Sequence, residues 1–296
     1  MHPYLVNIKI GKIPILITTY SVFAIAAIFV TGLLYILFLP DGRKKIVSHI
    51  IFLAVVLVSS LIGSRAVQFL LDLWINRGTD VDVMAVLRTT GGTVSGGLIF
   101  ALITVAIYAK LDPHRIMNWR TLDTLAMAFP FGHMLGRFGC VSAGCCYGKI
   151  SQDAALTFNY PESWPVDAFT AEAIPHGPRI ASPLIAAIGL FCIGAVLLVL
   201  LKTTKTRGQV SAAYFILYGI FRFFQEKTRG DLRAYFGPYS AGQWFGIFAT
   251  ILGVVFLGLY IRRLVKGTAG PPFLPFNGKP PKETDVFEDK QSGEEK

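Results

Sequence analysis

The chain has 296 residues, with 28 Lys and Arg against 18 Asp and Glu, a formal charge of +10. Apolar residues make up 53% and charged residues 16%, against roughly 25% charged in a soluble domain, and mean hydropathy is +0.55. These proportions exclude a disordered chain, a collagen-like chain and a disulfide scaffold, and they argue against a soluble nucleic-acid binder.

The apolar residues are grouped in runs long enough to cross a bilayer, which takes about 20 helical residues. Seven such runs occur in chain order: Ile15 to Leu39, Ile50 to Leu71, Val94 to Ala109, Leu125 to Ala143, Pro183 to Leu201, Val210 to Gln225, and Gly242 to Tyr260. The pattern predicts an all-α membrane protein with seven transmembrane helices over residues 1–266. The first run is too long for a signal-peptide core and lacks a small-residue cleavage site, so it is read as retained. A piece outside the spans, residues 147–179, contains four prolines and Trp164 and is expected as a small outer-face cap. Residues 267–296 hold Pro271, Pro272, Pro275, Pro280 and Pro281, then a charged end with four Lys and six acids. That composition predicts a disordered cytoplasmic tail.

Short loops rich in Lys and Arg stay in the cytoplasm. Compact basic clusters lie at Arg43-Lys44-Lys45, at Lys110, Arg115 and Arg120, at Lys202, Lys205 and Arg207, and at Arg262, Arg263 and Lys266. The alternate loops are more dilute, although Lys227, Arg229 and Arg233 run against the rule. The balance predicts a periplasmic N-terminus and a cytoplasmic C-terminus.

Charges inside the spans carry the functional signal, because a membrane-buried charge costs about 2.5–3.5 kcal/mol on insertion scales. Arg65, Arg137 and Arg222 lie in three different runs. With this topology all three fall toward the outer leaflet, as do Tyr20 and the Ser95-Gly96-Gly97 stretch. Several guanidiniums at headgroup depth make an anion site, and a phospholipid headgroup is the anion expected there. Glycines at 91, 92, 96, 97, 136, 139, 144 and 148 fit a crowded site with irregular backbone, and equally fit small-residue helix packing.

The motifs resemble a known family. Gly136-Arg137-Phe138-Gly139 looks like the G-R-x-G motif of the bacterial prolipoprotein diacylglyceryl transferases. Gly208-Gln209-Val210-Ser211, Tyr218-Gly219-Ile220-Phe221-Arg222, Glu226 and Arg229 follow its G-x-V-S…Y-G-x-F-R-x-x-x-E-x-x-R pattern. Ser240-Ala241-Gly242-Gln243 matches S-x-G-Q, and Gly96-Gly97-Leu98-Ile99 matches G-G-L-I. Tyr20 and Arg65 fall where the family has a Tyr in helix one and an Arg ending helix two. The resemblance covers about residues 15 to 262. It implies an inner-membrane enzyme that moves the diacylglyceryl group of phosphatidylglycerol to the lipobox cysteine thiol of prelipoproteins, with glycerol phosphate leaving. It implies Arg137 and Arg222 as catalytic residues. Tyr20, Arg65, Ser95, Gly96, Gly97, Gly136, Tyr218, Glu226, Arg229 and Gln243 would bind phosphatidylglycerol. Glu226 four residues after Arg222 shares its helix face, so the two can pair. The partners implied are phosphatidylglycerol, prelipoprotein acceptors and the lipid bilayer, without nucleic acid, cofactor or metal.

The sequence departs from the family where common members carry a His before G-G-L-I and N-F-x-N-x-E after G-R-x-G. Here those positions are Ser95, Cys140, Ala143 and Cys145, in a divergent G-C-C-Y-G run. A hydroxyl is too weak a base to replace the His, which leaves His133 or the arginine field to activate the acceptor thiol. Two other functions stay open: a catalytically silent or acceptor-divergent phospholipid-binding protein, and an anion channel or transporter, against which the arginines' single level argues. Cys140, Cys145 and Cys146 within seven residues allow a disulfide, a metal site without a nearby His, or small residues lining the site.

Overall fold

A computed structural model describes residues 4–10, 13–39, 45–75, 92–111, 116–152, 156–160, 177–204, 208–231 and 235–266, with backbone alone for 4–10, 13–17, 74, 75, 94, 95 and 160. Strands β1 (Tyr4–Ile10) and β2 (Ile13–Thr18) precede α1 (Thr19–Leu37), α2 (Ile46–Ile75), α3 (Val94–Leu111) and α4 (Trp119–Ala143). Then come β3 (Thr157–Tyr160), β4 (Gly177–Ile180), α5 (Ser182–Thr203), α6 (Gln209–Gln225), a short 3-10 turn Glu226–Thr228, β5 (Tyr235–Phe236), β6 (Tyr239–Ser240) and α7 (Ala241–Val265).

The described part is mostly helical, and the greater part of each apolar run of the sequence falls on one helix. This agrees with an all-α membrane fold, to which three short antiparallel hairpins are added, pairing β1 with β2, β3 with β4, and β5 with β6. The first run also starts differently: residues 15–18 are strand, Ile15 pairing with Ile8 and Ile17 with Val6. Alternating isoleucines at 13, 15 and 17 favour extended pairing over a helical start. The helix then begins where the Thr18 hydroxyl accepts a hydrogen bond from the Ser21 amide, 3.1 Å. The 267–296 tail and much of the expected cap lie outside the described residues.

Helices α1, α2, α5 and α7 are long and apolar enough to cross a membrane, and α3 is apolar but shorter. Large apolar side chains such as Ile25, Phe29, Val58, Ile62, Phe191 and Phe248 are exposed. A water-soluble bundle would turn these inward, so the exposed faces suit lipid. The more polar α4 and α6 are the inner helices. α1 and α5 pack along α4, and α7 packs along α6. Met127, Leu190, Leu197, Val210 and Tyr214 form the core between them. The α2–α3 pair joins through a second cluster of Tyr35, Phe52, Ile116 and Ala128, where Tyr35 Oη lies 2.7 Å from His49 Nδ1.

One buried carboxylate fixes the start of α6. Asp123 on α4 accepts hydrogen bonds from the Gly208 amide at 2.6 Å, the Ser211 amide at 2.8 Å and the Ser211 hydroxyl at 2.7 Å. It satisfies orphan amides that would otherwise be buried unpaired. Gly208 has φ +98°, and a Cβ there would sit 2.9 Å from the Trp119 ring, so glycine is required on both counts. This junction lies at the opposite end of α6 from Arg222. It sets the depth at which α6 presents its polar C-terminal turn.

Candidate functional site

The first turns of α1, α5 and α7 meet the last turns of α4 and α6 at one end of the bundle. Arg222 closes α6 and forms an ion pair with Glu226, Nη2 to Oε2 at 2.7 Å, with both side chains nearly buried. Glu226 Oε1 also accepts from the Ser240 hydroxyl at 3.2 Å. The carboxylate rests on Gly242 in the first turn of α7, where a Cβ would stand 2.4 Å from Glu226 Cδ. Only glycine leaves that room, and the helix N-terminus favours the negative charge. Arg222 Nη1 donates to Gln225 Oε1. Gln225 Nε2 in turn donates to the Ser182 hydroxyl at 2.9 Å, which lies 2.9 Å from the Thr228 hydroxyl. Arg222 is thereby held in place by three elements.

Arg229 follows the 3-10 turn and grips Asp231 with two hydrogen bonds, Nε to Oδ1 at 2.9 Å and Nη2 to Oδ2 at 2.8 Å. Burial works against the Arg229 charge, but Cys146 and the Asp231 carboxylate outweigh it and hold its pKa above the usual value. Its backbone is stitched to the segment after α4. The Lys149 amide donates to the Thr228 carbonyl at 3.1 Å and the Gly230 amide to the Tyr147 carbonyl at 3.0 Å. Arg179 from β4 completes this strap: its Nη1 donates to the Gly148 carbonyl at 3.2 Å and its guanidinium stacks 4.9 Å from the Tyr147 ring centroid.

Arg137, 8% exposed, lies in electrostatic range of Cys140, Cys146, Arg229 and Tyr218. Arg222 feels Tyr218, Arg137 and Arg229 in turn. Among the described residues Arg137 has no carboxylate partner; the ion pairs there join Arg222 to Glu226 and Arg229 to Asp231. Among the described residues these three guanidiniums face two carboxylates, both taken up by the other two arginines, which leaves Arg137 buried without a carboxylate of its own. Such a charge is costly unless an anion joins it.

Tyr20 comes from the first turn of α1, its ring 3.0 Å from where a Gly139 Cβ would stand, and it lies in range of Arg137 and all three clustered cysteines. Tyr218 stacks on Tyr214 at 5.6 Å. The His133 ring lies 5.8 Å from both Phe129 and Tyr218, and neither of its nitrogens has a hydrogen-bond partner among the described residues. α4 ends at Gly144, φ +73°, and Cys146 takes φ +61°. These two left-handed residues fold the chain back, so that the sulfurs of Cys140, Cys145 and Cys146 lie within 4.8 Å of one another. All three are free cysteines. Hydrogen bonds from Cys140 and Cys145 hold the Cys146 pKa well below its usual value against the opposing effect of burial, and Arg229 and Arg137 lower it further.

Thus Tyr20, Arg137, Tyr218, Arg222, Glu226 and Arg229 come together from positions scattered along the sequence. The other expected residues have different surroundings. Arg65 is exposed on α2. Gly96 and Gly97 are buried against α2: a Cβ on Gly96 would stand 2.6 Å from the Gly63 carbonyl oxygen, and one on Gly97 would stand 2.9 Å from the Ser60 hydroxyl. Their place is helix packing. The Ser95 side chain lies outside the described residues. Gly136 adjoins Arg137 and faces open space. Gln243 Oε1 accepts from the Ser240 amide at 3.0 Å, and the Ser240 hydroxyl accepts from the Gln243 amide at 3.2 Å. These two bonds form a capping box for α7. Sequence reasoning did not select Ser182, Gln225 or Asp231. The one signal for Gln225 is a second polar residue, beside Arg222, in the last turn of a helix that is aromatic and apolar through its middle.

The architecture defines a multi-pass helical membrane protein with a buried arginine cluster at one end. The chain belongs to the prolipoprotein diacylglyceryl transferase family, whose model matches residues 5–259. It is similar to phosphatidylglycerol–prolipoprotein diacylglyceryl transferase of Clostridium tetani, 25% identical over 248 residues that cover 79% of this chain and 91% of the relative. It is also similar to phosphatidylglycerol–prolipoprotein diacylglyceryl transferase 2 of Clostridium perfringens, 27% identical over 210 residues, 71% of this chain and 77% of the relative. The Finegoldia magna protein of the same activity is 28% identical over 208 residues, 70% of this chain and 76% of the relative.

Proposed function

We propose that this chain transfers the diacylglyceryl group of phosphatidylglycerol to the lipobox cysteine of prelipoproteins in lipoprotein maturation. Seven helices cross the bacterial inner membrane with the N-terminus outside and the C-terminus inside, and the site faces the outer leaflet. The segment 147–179 is the outer cap, and 267–296 is a cytoplasmic tail.

The observation that carries this reading is the buried Arg137, without a carboxylate partner among the described residues, beside two arginines already paired with acids. A phosphodiester supplies the missing negative charge. Guanidiniums bind it through paired hydrogen bonds and keep their charge at any physiological pH. In the reaction the acceptor sulfur forms a bond to the glyceryl carbon and the carbon–oxygen bond to phosphate breaks. The electron pair leaves with the phosphate, so negative charge grows on the group that Arg137 would bind. A donor preorganised there acts on the transition state more than on the bound lipid. Arg222 is the second stabiliser, oriented by Glu226 and Gln225. Arg229, braced by Asp231, adds positive field from the strap. Tyr20 and Tyr218 line the lipid's headgroup region.

Complementation tests the reading. Cells depleted of their own transferase should regain lipidation of a reporter prelipoprotein, seen as a gel shift, when they express this chain. The shift should vanish with Arg137→Ala and with Arg222→Ala. A well-expressed, membrane-inserted chain that gives no shift overturns the prelipoprotein reading.

A further inference from the structure

The transferase reading leaves one chemical task without a residue: the acceptor must attack as a thiolate, since a thiol is a poor nucleophile. The carboxylates near the arginines are engaged, Glu226 by Arg222 and Ser240 and Asp231 by Arg229. His133 is enclosed by the Phe129 and Tyr218 rings. Among the described residues the three cysteines are the other reactive groups there: all three lie in electrostatic range of Tyr20, Cys140 and Cys146 in range of Arg137, and Cys146 in range of Arg229.

We propose that Cys140, Cys145 and Cys146 bind one zinc ion through three thiolates, and that the ion's open fourth position takes the acceptor sulfur and holds it as a thiolate. This rests on the transferase reading above. Tetrahedral zinc has Zn–S bonds of about 2.3 Å, which place bound sulfurs about 3.8 Å apart. The three sulfurs already lie within 4.8 Å of one another, so closing around an ion takes a contraction of about 1 Å or less. The left-handed turn at Gly144 and Cys146 brings the second and third sulfurs back over the first. Three protein ligands plus one exchangeable position is the composition of a catalytic zinc site, whereas structural sites use four. Three thiolates on Zn²⁺ carry a net charge of −1, and the neighbouring guanidiniums stabilise that anion while an all-neutral ligand set would gain nothing from them.

The chemistry balances without an oxidant. The acceptor S–H gives its proton to solvent as the sulfur binds zinc, because a coordinating thiol is deprotonated outright. The zinc-bound sulfur attacks the glyceryl carbon, the carbon–oxygen bond breaks, and glycerol phosphate leaves with the electron pair. The product is a thioether, a neutral and weaker ligand, which frees the fourth position.

The test uses the full chain purified in detergent under reducing conditions. Metal analysis should find one zinc per chain, lost on chelation and regained on adding zinc alone. Cys140→Ser, Cys145→Ser and Cys146→Ser should each lower zinc retention, and cobalt reloading of the unaltered chain gives a reading that needs no variant. The sulfur-to-cobalt charge-transfer spectrum should change when a lipobox peptide is added, and should stay unchanged with its Cys-to-Ser analogue. Chelation should slow lipidation on the order of 10²–10⁴-fold, the range a positioned proton acceptor supplies. A metal-free chain that lipidates at full rate overturns the proposal and leaves the transferase reading standing. A disulfide between two of the three cysteines in native membranes also overturns it, as does a cobalt spectrum indifferent to the thiol peptide. A cobalt chain that responds to the peptide yet never lipidates keeps the thiol site and overturns the transferase reading instead.

Discussion

The α2–α3 pair and the α4–α6–α7 group carry the same sequence signals with different outcomes. Each has an arginine inside an apolar run and glycines close by. On α2, Arg65 is exposed, and the nearby Gly96 and Gly97 are filled by the backbone and side chains of the partner helix. In the α4–α6–α7 group, Arg137 and Arg222 are buried, and Gly242 is filled by a carboxylate rather than by a neighbouring helix. An arginine in an apolar run therefore says little until the opposite surface is known. Where helix ends converge, the charge meets other charges; where two helices run side by side, small residues simply let them close.

The largest expected effect separates the two regions directly. Replacing Arg137 by Ala removes the buried guanidinium proposed to stabilise the departing phosphate and should lower the lipidation rate on the order of 10²–10³-fold, as for a lost oxyanion donor. Arg65→Ala should leave the rate within about threefold, as for a surface change worth about ±0.5 kcal/mol. Initial rates on one reporter peptide in membranes matched for expression decide this. Equal losses from both variants would join α2 to the site and break the comparison.

Asp123 tests whether the far end of α6 sets the site. Asp123→Ala leaves the Gly208 and Ser211 amides and the Ser211 hydroxyl without their acceptor, where each buried unsatisfied donor costs about 1–3 kcal/mol. The detergent-solubilised variant should lose about 2–4 kcal/mol of stability overall, since the groups relax together. Thermal unfolding followed by helical circular dichroism measures the loss. The fraction still folded should also bind phosphatidylglycerol more weakly, since the junction sets the depth of Arg222; unchanged affinity would confine Asp123 to a stability role.

The helices were legible because each apolar run has a physical boundary written beside it. Asn118 accepts from the Thr121 amide to start α4, Pro183 opens α5, and Ser240 with Gln243 opens α7. The pairing of Arg222 with Glu226 was legible for the same local reason, a spacing of four. Asp123 was not, because its partners lie 85 and 88 residues away, and no local period reports so distant a contact. The end of the hairpin before α1 was hidden inside an apolar run whose hydropathy suits strand and helix equally; only the alternation of isoleucines distinguishes them. The convergence of the three sulfurs depends on two positive φ angles, one of them at a cysteine, where sequence gives no warning.

Two glycines refine the contrast at smaller cost. Gly242→Ala puts a Cβ 2.4 Å from Glu226 Cδ, so the carboxylate or α7 must shift. Overpacking of this kind costs about 1–3 kcal/mol. It should also slow lipidation, because Glu226 orients Arg222. Gly136→Ala meets nothing within 4 Å and should be neutral or stabilising by up to about 1 kcal/mol, the helix preference of Ala over Gly. Melting temperatures of the two variants measured side by side should move in opposite directions.

The smallest effect concerns Gln243, which has two readings that make different predictions. As a lipid ligand, its loss would raise the KM for phosphatidylglycerol and leave stability alone. As the far half of the capping box on Ser240, its loss removes one hydrogen bond from the start of α7 and costs about 0.5–2 kcal/mol. The side-chain carbonyl already accepts from the Ser240 amide, so turning it to a headgroup would first break the cap. Gln243→Glu keeps the acceptor that the cap uses and replaces the amide N–H that a phosphate would need. The capping role therefore predicts that Gln243→Glu retains both stability and KM while Gln243→Ala lowers stability with KM unchanged. A raised KM in the Glu variant, at unchanged melting temperature, would instead assign the amide to the lipid.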